Sequence, residues 1–544
     1  MPLGTLTGNH RIKWILLAAV ITLLHSAAPA AGLPGGIDFK YRLATDPPTL
    51  DPALSTDTTS GAVILKIHDG LVQFDPETLE VIPAVAQSWV ISENGLEYTF
   101  TLRKNAVFHN GRPVEAPDVK ASFERVLHPE TKSGRTFVLD PIRGATSYMN
   151  RESDHVSGIE ILDNHTVRLT LTEPFAPFLA QLCMEAASII PMEECREDVT
   201  FSARSIGCGP FRFVSWKHDV EVVLEAFPDY YGGTPHIDRL TYRIIQSVPT
   251  AFEEYKAGGL DLLDQIPTGQ IQAVRKKYPQ DVKIWPYLSI YYIGMNLSRP
   301  PFQDNVLLRR ALNYAVDREK ICKAVKEGLA YPVAGVLPPG IPGYDPERQG
   351  YPYDPATARR LLAEAGYPGG EGLPELVLWH NRDPRHRLIG QCIQYYLGEI
   401  GVNIRLKNVE WAAYIEAVDE AEPDLFRMGW VADYPDADNF LYTLLHSNQF
   451  GSAGNYARFS HPEFDRLTAM AKRISDPAER IACYREAETI AIREAPWIFI
   501  YYERELAMIK PRWTGIVLTP QGDFAIPMER VQLRDTDANR RPVQ

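Results

Sequence analysis

"DRLTYRIIQSVPTAFEEYKAGGLDLLDQI", residues 238–266, changes its hydrophobic period twice. Residues 240–245 are β-branched, aromatic or long and read as a strand. "PTAFEEYKAGG" reads as a short helix stopped by Gly258-Gly259, and "LDLLDQI", 260–266, as the next strand. Strand, helix and strand in succession outline a βαβ unit, so the chain is read as layered α/β.

The same punctuation recurs outward from this unit. Asp354 is placed to cap a helix that opens on Pro355 and closes at Gly366. Asp476, Pro477 and Glu479 repeat the start signal before a long helix that Pro496 ends, and "WIFIYY", 497–502, reads as a strand. Nearer the start, "LEYTFTLRKNAVFHNGRPV" and "GIEILDNHTVRLTLT" read as β-hairpin material, with turns at Asn110-Gly111 and Asp163-Asn164.

A chain of 544 residues exceeds one compact core and implies roughly two to four domains. Its formal charge of -13 at pH 7 argues against a general nucleic-acid or anionic-lipid surface. The basic pairs Arg309-Arg310 and Arg359-Arg360 then read as solvated helix faces. At the N-terminus, His10, Arg11 and Lys13 precede the apolar run "WILLAAVITLL", 14–24, and the small residues "HSAAPAAG". That order is a secretory leader with an AxA site at 28–30, too short to span a bilayer, and cleavage is expected after Ala30. No cysteine occurs before Cys183, so a lipoprotein's acylated cysteine is missing. An exported chain permits disulfides, and one pair among Cys183, Cys195 and Cys208 fits their sequence spacing; with no CxxC or zinc-ligand spacing, the six cysteines read as buried or paired structural residues.

Catalytic signatures are missing. The sequence has no GxSxG elbow, HExxH, phosphate loop or GxGxxG fingerprint, and "GCGPF", 207–211, leads into a strand where a phosphate loop needs a helix. Four acids, Asp424, Asp433, Asp436 and Asp438, lie in or beside "FRMGWVADYPDADNF", 426–440. Asp436 and Asp438 suit a turn and a helix cap. A metal set of Asp433, Asp436 and His446 lacks enough oxygen ligands and any EF-hand spacing. Asp433 instead ends an apolar strand beside Trp430, where a shielded carboxylate accepts charge-assisted hydrogen bonds from an ammonium group, worth about 1.5 to 3 kcal/mol each. The strand backbone is suited to pair with an extended peptide.

"AQSWVISENGLEYTFTLRKNAVFHNGRPVEAPDVKASFERVL", residues 86–127, closely resembles the signature region of the bacterial extracellular solute-binding proteins of family 5, the peptide and nickel receptors of ABC importers. "TLDPALSTDT", "GCGPFRF", "YYIGMNLSRPPFQDNVLLRRALNYAVDREKI", "GWVADYPDADNF" and "EAPWIFIYY" follow in family order, with Cys208 where a threonine is usual. The resemblance implies a two-lobe, hinged type II periplasmic binding protein with a β-rich subdomain inserted in lobe I. Its expected divisions are a leader 1–30, lobe I at 31–70, 181–285 and 496–544, the insertion at 71–180, and lobe II at 286–495.

In the oligopeptide branch the Asp of the Trp-x-Ala-Asp-Tyr motif holds the peptide's ammonium, and that position is Asp433 here. The resemblance further implies that Arg427 faces the peptide's carboxylate, helped by Arg385 or Arg382 of "HNRDPRHR", with Trp411 as an aromatic near the ligand. Some oligopeptide receptors carry a disulfide at the places of Ser289 and Val431, so none is expected. The implied function is non-catalytic capture of peptides, oligopeptides foremost, by a periplasmic monomer that delivers them to an inner-membrane ABC permease, with no cofactor, metal or nucleic acid. The alternatives are a receptor for nickel chelate, haem or another non-peptide solute and, from another class, a secreted hydrolase, which would need a nucleophile or an acid pair in the cleft.

Overall fold

The computed structural model describes residues 36–195, 201 and 204–534, so the leader and its cleavage site lie outside the described residues. The βαβ unit forms as Arg239–Ile244, the helix Val248–Ala257 and Leu262–Leu263. Ser247 caps the helix by accepting from the Thr250 amide at 3.3 Å, and Gly258 ends it at φ 90, a conformation that favours glycine. Strand Asp38–Leu43 lies between the two strands and parallel to both. The second strand is shorter than the sequence suggests. Asp264 leaves the ladder to pair with the buried Arg42 at 2.5 Å.

One long sheet passes through both lobes. Its order is Ile404–Val409, Leu376–Asn381, Leu425–Val431, Ser289–Met295, Trp497–Ile509, Leu262–Leu263, Asp38–Leu43, Arg239–Ile244, Glu221–Ala226 and Phe211–Lys217. Trp497–Ile509 runs on well past residue 502, where the sequence reading stopped it, because it serves four neighbours along its length, Ala330–Pro332 and Leu262–Leu263 among them. Its first part, 497–501, pairs with Ser289–Met295, and 504–508 pairs with Val282–Pro286. Two antiparallel strands therefore cross side by side from one lobe to the other.

Ser289–Met295 is buried at every position, as a strand covered on both faces must be. Its alternation splits the lobe's core. Tyr291, Ile293 and Met295 pack with Leu312, Ile393 and Leu378 on one side, while Ile290 and Tyr292 pack with Phe426, Tyr484 and Trp497 on the other. Gly294 faces Phe426 across the ladder, and an added Cβ there would lie 2.2 Å from that ring.

The inserted β-rich part is a four-stranded antiparallel sheet ordered Ala86–Ile91, Glu97–Leu102, Thr166–Thr170 and Ile159–Asp163. Helix Ala116–Leu127 shares its core through Val119 and Phe123. The second hairpin turns on Asn164-His165, one residue beyond the expected dipeptide, because Asp163 accepts from the His165 amide at 2.7 Å. Asn110-Gly111 forms a tight turn closed by Gly111 N–H to Phe108 C=O at 2.8 Å. "GCGPF" precedes the strand Phe211–Lys217, and its first glycine packs against the end of helix Thr58–Ile67, where a Cβ would meet Ile67 O at 2.0 Å.

Two expectations are corrected. All six cysteines are free thiols, Cys208 being buried in the insertion's core. Arg309 is not solvated: it is 6% exposed and donates to Glu494 O at 2.9 Å and Phe302 O at 2.8 Å. The helix caps hold, with Asp354 accepting from Thr357 N at 3.0 Å and Asp476 from Glu479 N at 2.8 Å.

"NYAVDREKI" supports the crossing strand from behind. Asn313 donates to Trp497 O at 2.7 Å and accepts from Phe499 N at 3.2 Å. Arg318, 4% exposed, donates to the carbonyls of Phe499, Asn313, Val316 and Tyr351. Arg318→Met would leave these buried carbonyls unpaired. Urea unfolding is expected to show a loss of about 3 kcal/mol, with the slope unchanged.

Candidate ligand-binding site

Strand Leu425–Val431 ends where Ala432 N–H donates to Leu288 O at 2.9 Å. The next residue, Asp433, is fixed by Asn439, which is 2% exposed and stands at the start of helix Asp438–Leu445. Asn439 Oδ1 accepts from the Trp430 indole at 2.8 Å and from the Asp433 amide at 3.0 Å, and its Nδ2 faces Asp433 Oδ2 at 3.4 Å. One amide side chain thus orients both the aromatic wall and the carboxylate.

Asp433 and Trp430 line a cavity of about 810 Å3 between this lobe and the insertion, with Arg135, Asp140, Gln181 and Lys472 among the other lining residues. Burial pushes the Asp140 carboxyl up to about 6, against the pull of Lys472. Across the cavity Arg135 Nη1 meets Asp433 Oδ1 at 3.0 Å, with the side chains 20% and 23% exposed. Arg135 also donates from Nε to Ser55 O at 3.3 Å and from Nη2 to Thr56 O at 3.2 Å.

The other acids of the motif are taken up structurally. Asp424 pairs with Arg299 at 3.2 Å. Asp436 accepts from the Asp438 amide at 2.8 Å, as a turn residue does, but it is also buried against Arg480 at 2.6 Å. Asp438 is the first helical residue and not the cap, and it accepts from the Tyr434 hydroxyl at 2.8 Å. Among the described residues no group of three or more His, Cys, Asp or Glu side chains is arranged to hold a metal ion.

Arg427 lies six residues before Asp433, hence at most about 22 Å away along the chain. Its guanidinium stacks 4.8 Å from the Tyr291 ring centroid, and its Nε is buried with no hydrogen-bond partner among the described residues. Tyr291 OH is 3.3 Å from His386 Nδ1, which brings the "HNRDPRHR" segment to the same place. Burial first and the Arg427 charge second hold the His386 imidazole down at about 3. Arg385 is exposed and held by Asp383 at 2.9 Å, Arg382 is exposed, and Trp411 is 48% exposed at the first position of its helix, stacked on Tyr414. None of Arg427, Arg385, Arg382 and Trp411 lines the large cavity. The proposed residues thus form two places, Asp433 with Trp430 and Arg427 with His386 and Arg385.

The strand between these places has an open edge. Leu425–Val431 pairs along its whole length with Ser289–Met295, but on its other side only Leu425 and Phe426 pair, with Leu378 and Trp379. Ser289 and Val431 stand directly opposite one another in the ladder, and neither is a cysteine. Arg135 and Asn439 were not singled out in the sequence. Asn439 sits within the quoted motif, whereas nothing near Arg135 marks it.

Two lobes joined by crossing strands, with a polar cavity at their junction, define a hinged type II binding protein. The chain belongs to the bacterial extracellular solute-binding proteins of family 5, whose model matches residues 80–452. It is 34% identical to heme-binding protein A of Haemophilus influenzae over 89% of this chain and 90% of that one. It is 29% identical to the dipeptide-binding protein of Escherichia coli, covering 88% and 91%. Among solved structures it superposes on MppA, a periplasmic murein tripeptide binding protein in an unliganded open form, with a TM-score of 0.80 and 26% identity, covering 92% of this chain and 99% of that one. The family is one of solute-binding proteins rather than enzymes.

His386 supplies a pH prediction. Its folded pKa lies below the ordinary 6.5, so as pH falls from 6.5 toward 3 the unfolded chain takes up a proton that the folded chain refuses. Stability from this residue is complete above about pH 6.5 and declines below it. The urea midpoint of wild type is expected to fall more steeply than that of His386→Gln through this window, and NMR should find the imidazole neutral from about pH 5 to 8.

Proposed function

We propose that this protein is a periplasmic receptor that captures peptides between its lobes and delivers them, as a monomer, to an inner-membrane ABC permease, with the leader cleaved after Ala30. The observation that carries the reading is the pair of charged places at the two ends of an unpaired strand edge. Asp433, oriented by Asn439, takes the peptide's ammonium. Trp430 walls that end. The open edge from 428 to 431, beyond the Arg427 carbonyl that accepts from the Tyr414 hydroxyl, gives main-chain hydrogen bonds that ignore side-chain identity. Arg427, whose Nε lacks a partner among the described residues, takes the carboxylate, with Arg385 and then Arg382 as outer cations and Trp411 as an aromatic neighbour. The change of ladder partner between 286 and 289 supports a start of lobe II near 286. Ligand that touches both lobes stabilises the closed form, which the permease then distinguishes from the open one. A haem reading rests on the Haemophilus relative. The charged lining of Arg135, Asp140, Asp433 and Lys472 favours a zwitterion.

Isothermal titration with free, N-acetylated and C-amidated di- to pentapeptides tests this reading. N-acetylation and Asp433→Asn are each expected to weaken binding by at least tenfold, about 1.4 kcal/mol. Unchanged affinity would remove Asp433 from the site. Arg427→Met is expected to weaken free peptides and to leave C-amidated ones nearly unaffected, so equal losses for both would assign Arg427 to packing. Tight haem binding with no peptide response would favour the other ligand.

A further inference from the structure

A second cavity lies in lobe I, apart from the cleft. It holds about 370 Å3 and shares no lining residue with the cavity at Asp433. Lys283 of strand Val282–Pro286, Lys510 just after the long strand Trp497–Ile509 and Arg534 just after strand Gln532–Leu533 all line it. Trp513, Ile516 and Leu518 form an apolar wall that packs on the core containing Phe39 and Tyr41. Among the described residues no carboxylate lines this cavity.

Main-chain bonds hold the cations in place. Lys510 N–H donates to Asp261 O at 2.9 Å, Trp513 N–H to Lys510 O at 3.1 Å and Arg534 N–H to Arg512 O at 2.9 Å. Trp513 pairs with Leu533 across a short antiparallel ribbon. The Lys510 ammonium stands 3.9 Å from the Tyr255 ring centroid, and burial draws its pKa below the ordinary value, with Asp281 and Asp261 opposing. Both of those acids are engaged elsewhere. Asp261 Oδ1 accepts from Arg512 at 2.5 Å and from the Trp513 indole at 2.7 Å, and Asp281 accepts from the Tyr255 hydroxyl at 2.6 Å. The cavity therefore carries a local surplus of positive charge, in a chain whose formal charge is -13 at pH 7.

That contrast selects the kind of ligand. An extended polyanion, whether nucleic acid or an acidic membrane, is repelled by the chain as a whole, whereas a small anion meets only the local field. Inorganic phosphate would satisfy the cations and leave the apolar wall uncovered. Concave sites that join an apolar wall to a few converging charges suit compact organic ligands. We infer that this cavity binds a small organic dianion, an apolar body bearing two carboxylates, with Lys283 and Lys510 as its charge partners and Trp513, Ile516 and Leu518 against the body. The site is independent of the peptide reading of the cleft.

The test is isothermal titration of the full mature chain with isophthalate, with benzoate, which keeps the ring and loses one carboxylate, and with inorganic phosphate, which has no ring. Isophthalate is expected to bind roughly tenfold or more tightly than either of the others. Lys283→Gln and Lys510→Gln are each expected to weaken it roughly tenfold while leaving peptide titrations unchanged. Lys283 is exposed, so its variant keeps the test open if Lys510→Gln does not fold, which circular dichroism checks. No binding of isophthalate, or equal affinity for isophthalate and phosphate, would overturn the inference. Loss of isophthalate binding in Arg427→Met, with both lysine variants unaffected, would place the dianion in the cleft and overturn it too. Binding that appears only after Asp535→Asn and Asp537→Asn would give the cavity to the chain's own end.

Discussion

The strand Trp497–Ile509 is hydrogen-bonded to Ser289–Met295 at one end and to Val282–Pro286 at the other, and the sheet is continuous from lobe to lobe beside that change of partner. At the first end its residues are locked: Trp497 stacks on Tyr292 with ring centroids 3.8 Å apart, and Asn313 and Arg318 satisfy its outward carbonyls. At the second end Leu506 and Met508 join a separate small core with Phe252, Tyr255 and Leu260. Each lobe thus grips its own portion of the strand. The ladder partner changes between 286 and 289, while 501–503 of the long strand pairs with Ala330–Pro332. A binding protein needs rigid lobes and a narrow hinge, and one shared strand with two independent cores supplies both.

Contacts across the cleft show why closure is left to the ligand. Arg473 and Glu173 pair at 2.6 Å but are 60% and 61% exposed, so their pairing contributes little beside its cost in side-chain entropy. Ala176 N–H donates to Lys472 O at 2.7 Å, a single main-chain bond at the rim. Arg135 and Asp433 form the better shielded pair, at 3.0 Å with the side chains 20% and 23% exposed. Contacts that are weak or exchangeable keep the open and closed forms close in free energy, so a ligand's differential contacts can decide between them.

What could be read from the sequence follows the range of the interactions involved. Asp354, Asp476 and Gly258 act on atoms within one turn of themselves, and their roles were legible from spacing alone. The place of Asp433 beside Trp430 at the cavity was legible because strand, aromatic neighbour and motif are contiguous. Arg309 was misread because its partners, Phe302 O and Glu494 O, come from a preceding loop and from the distant end of a helix, and a basic pair on a helix carries no sign of either. Asp436 was read as a turn residue, and its second partner, Arg480, arrives only when two helices pack. The cysteines show the same limit: closeness in sequence says nothing of side-chain direction, and Cys208 points into the insertion's core.

Arg135 is the extreme case, 298 residues from the carboxylate it meets, in a loop with no motif of its own. Arg427 lies on the strand Leu425–Val431 and Asp433 two residues beyond its end, so one contiguous pattern carries both. Arg135 comes from the other lobe and reaches Asp433 across the cavity. A cavity lined from both lobes can therefore change its lining outside the signature while the motif stays the same.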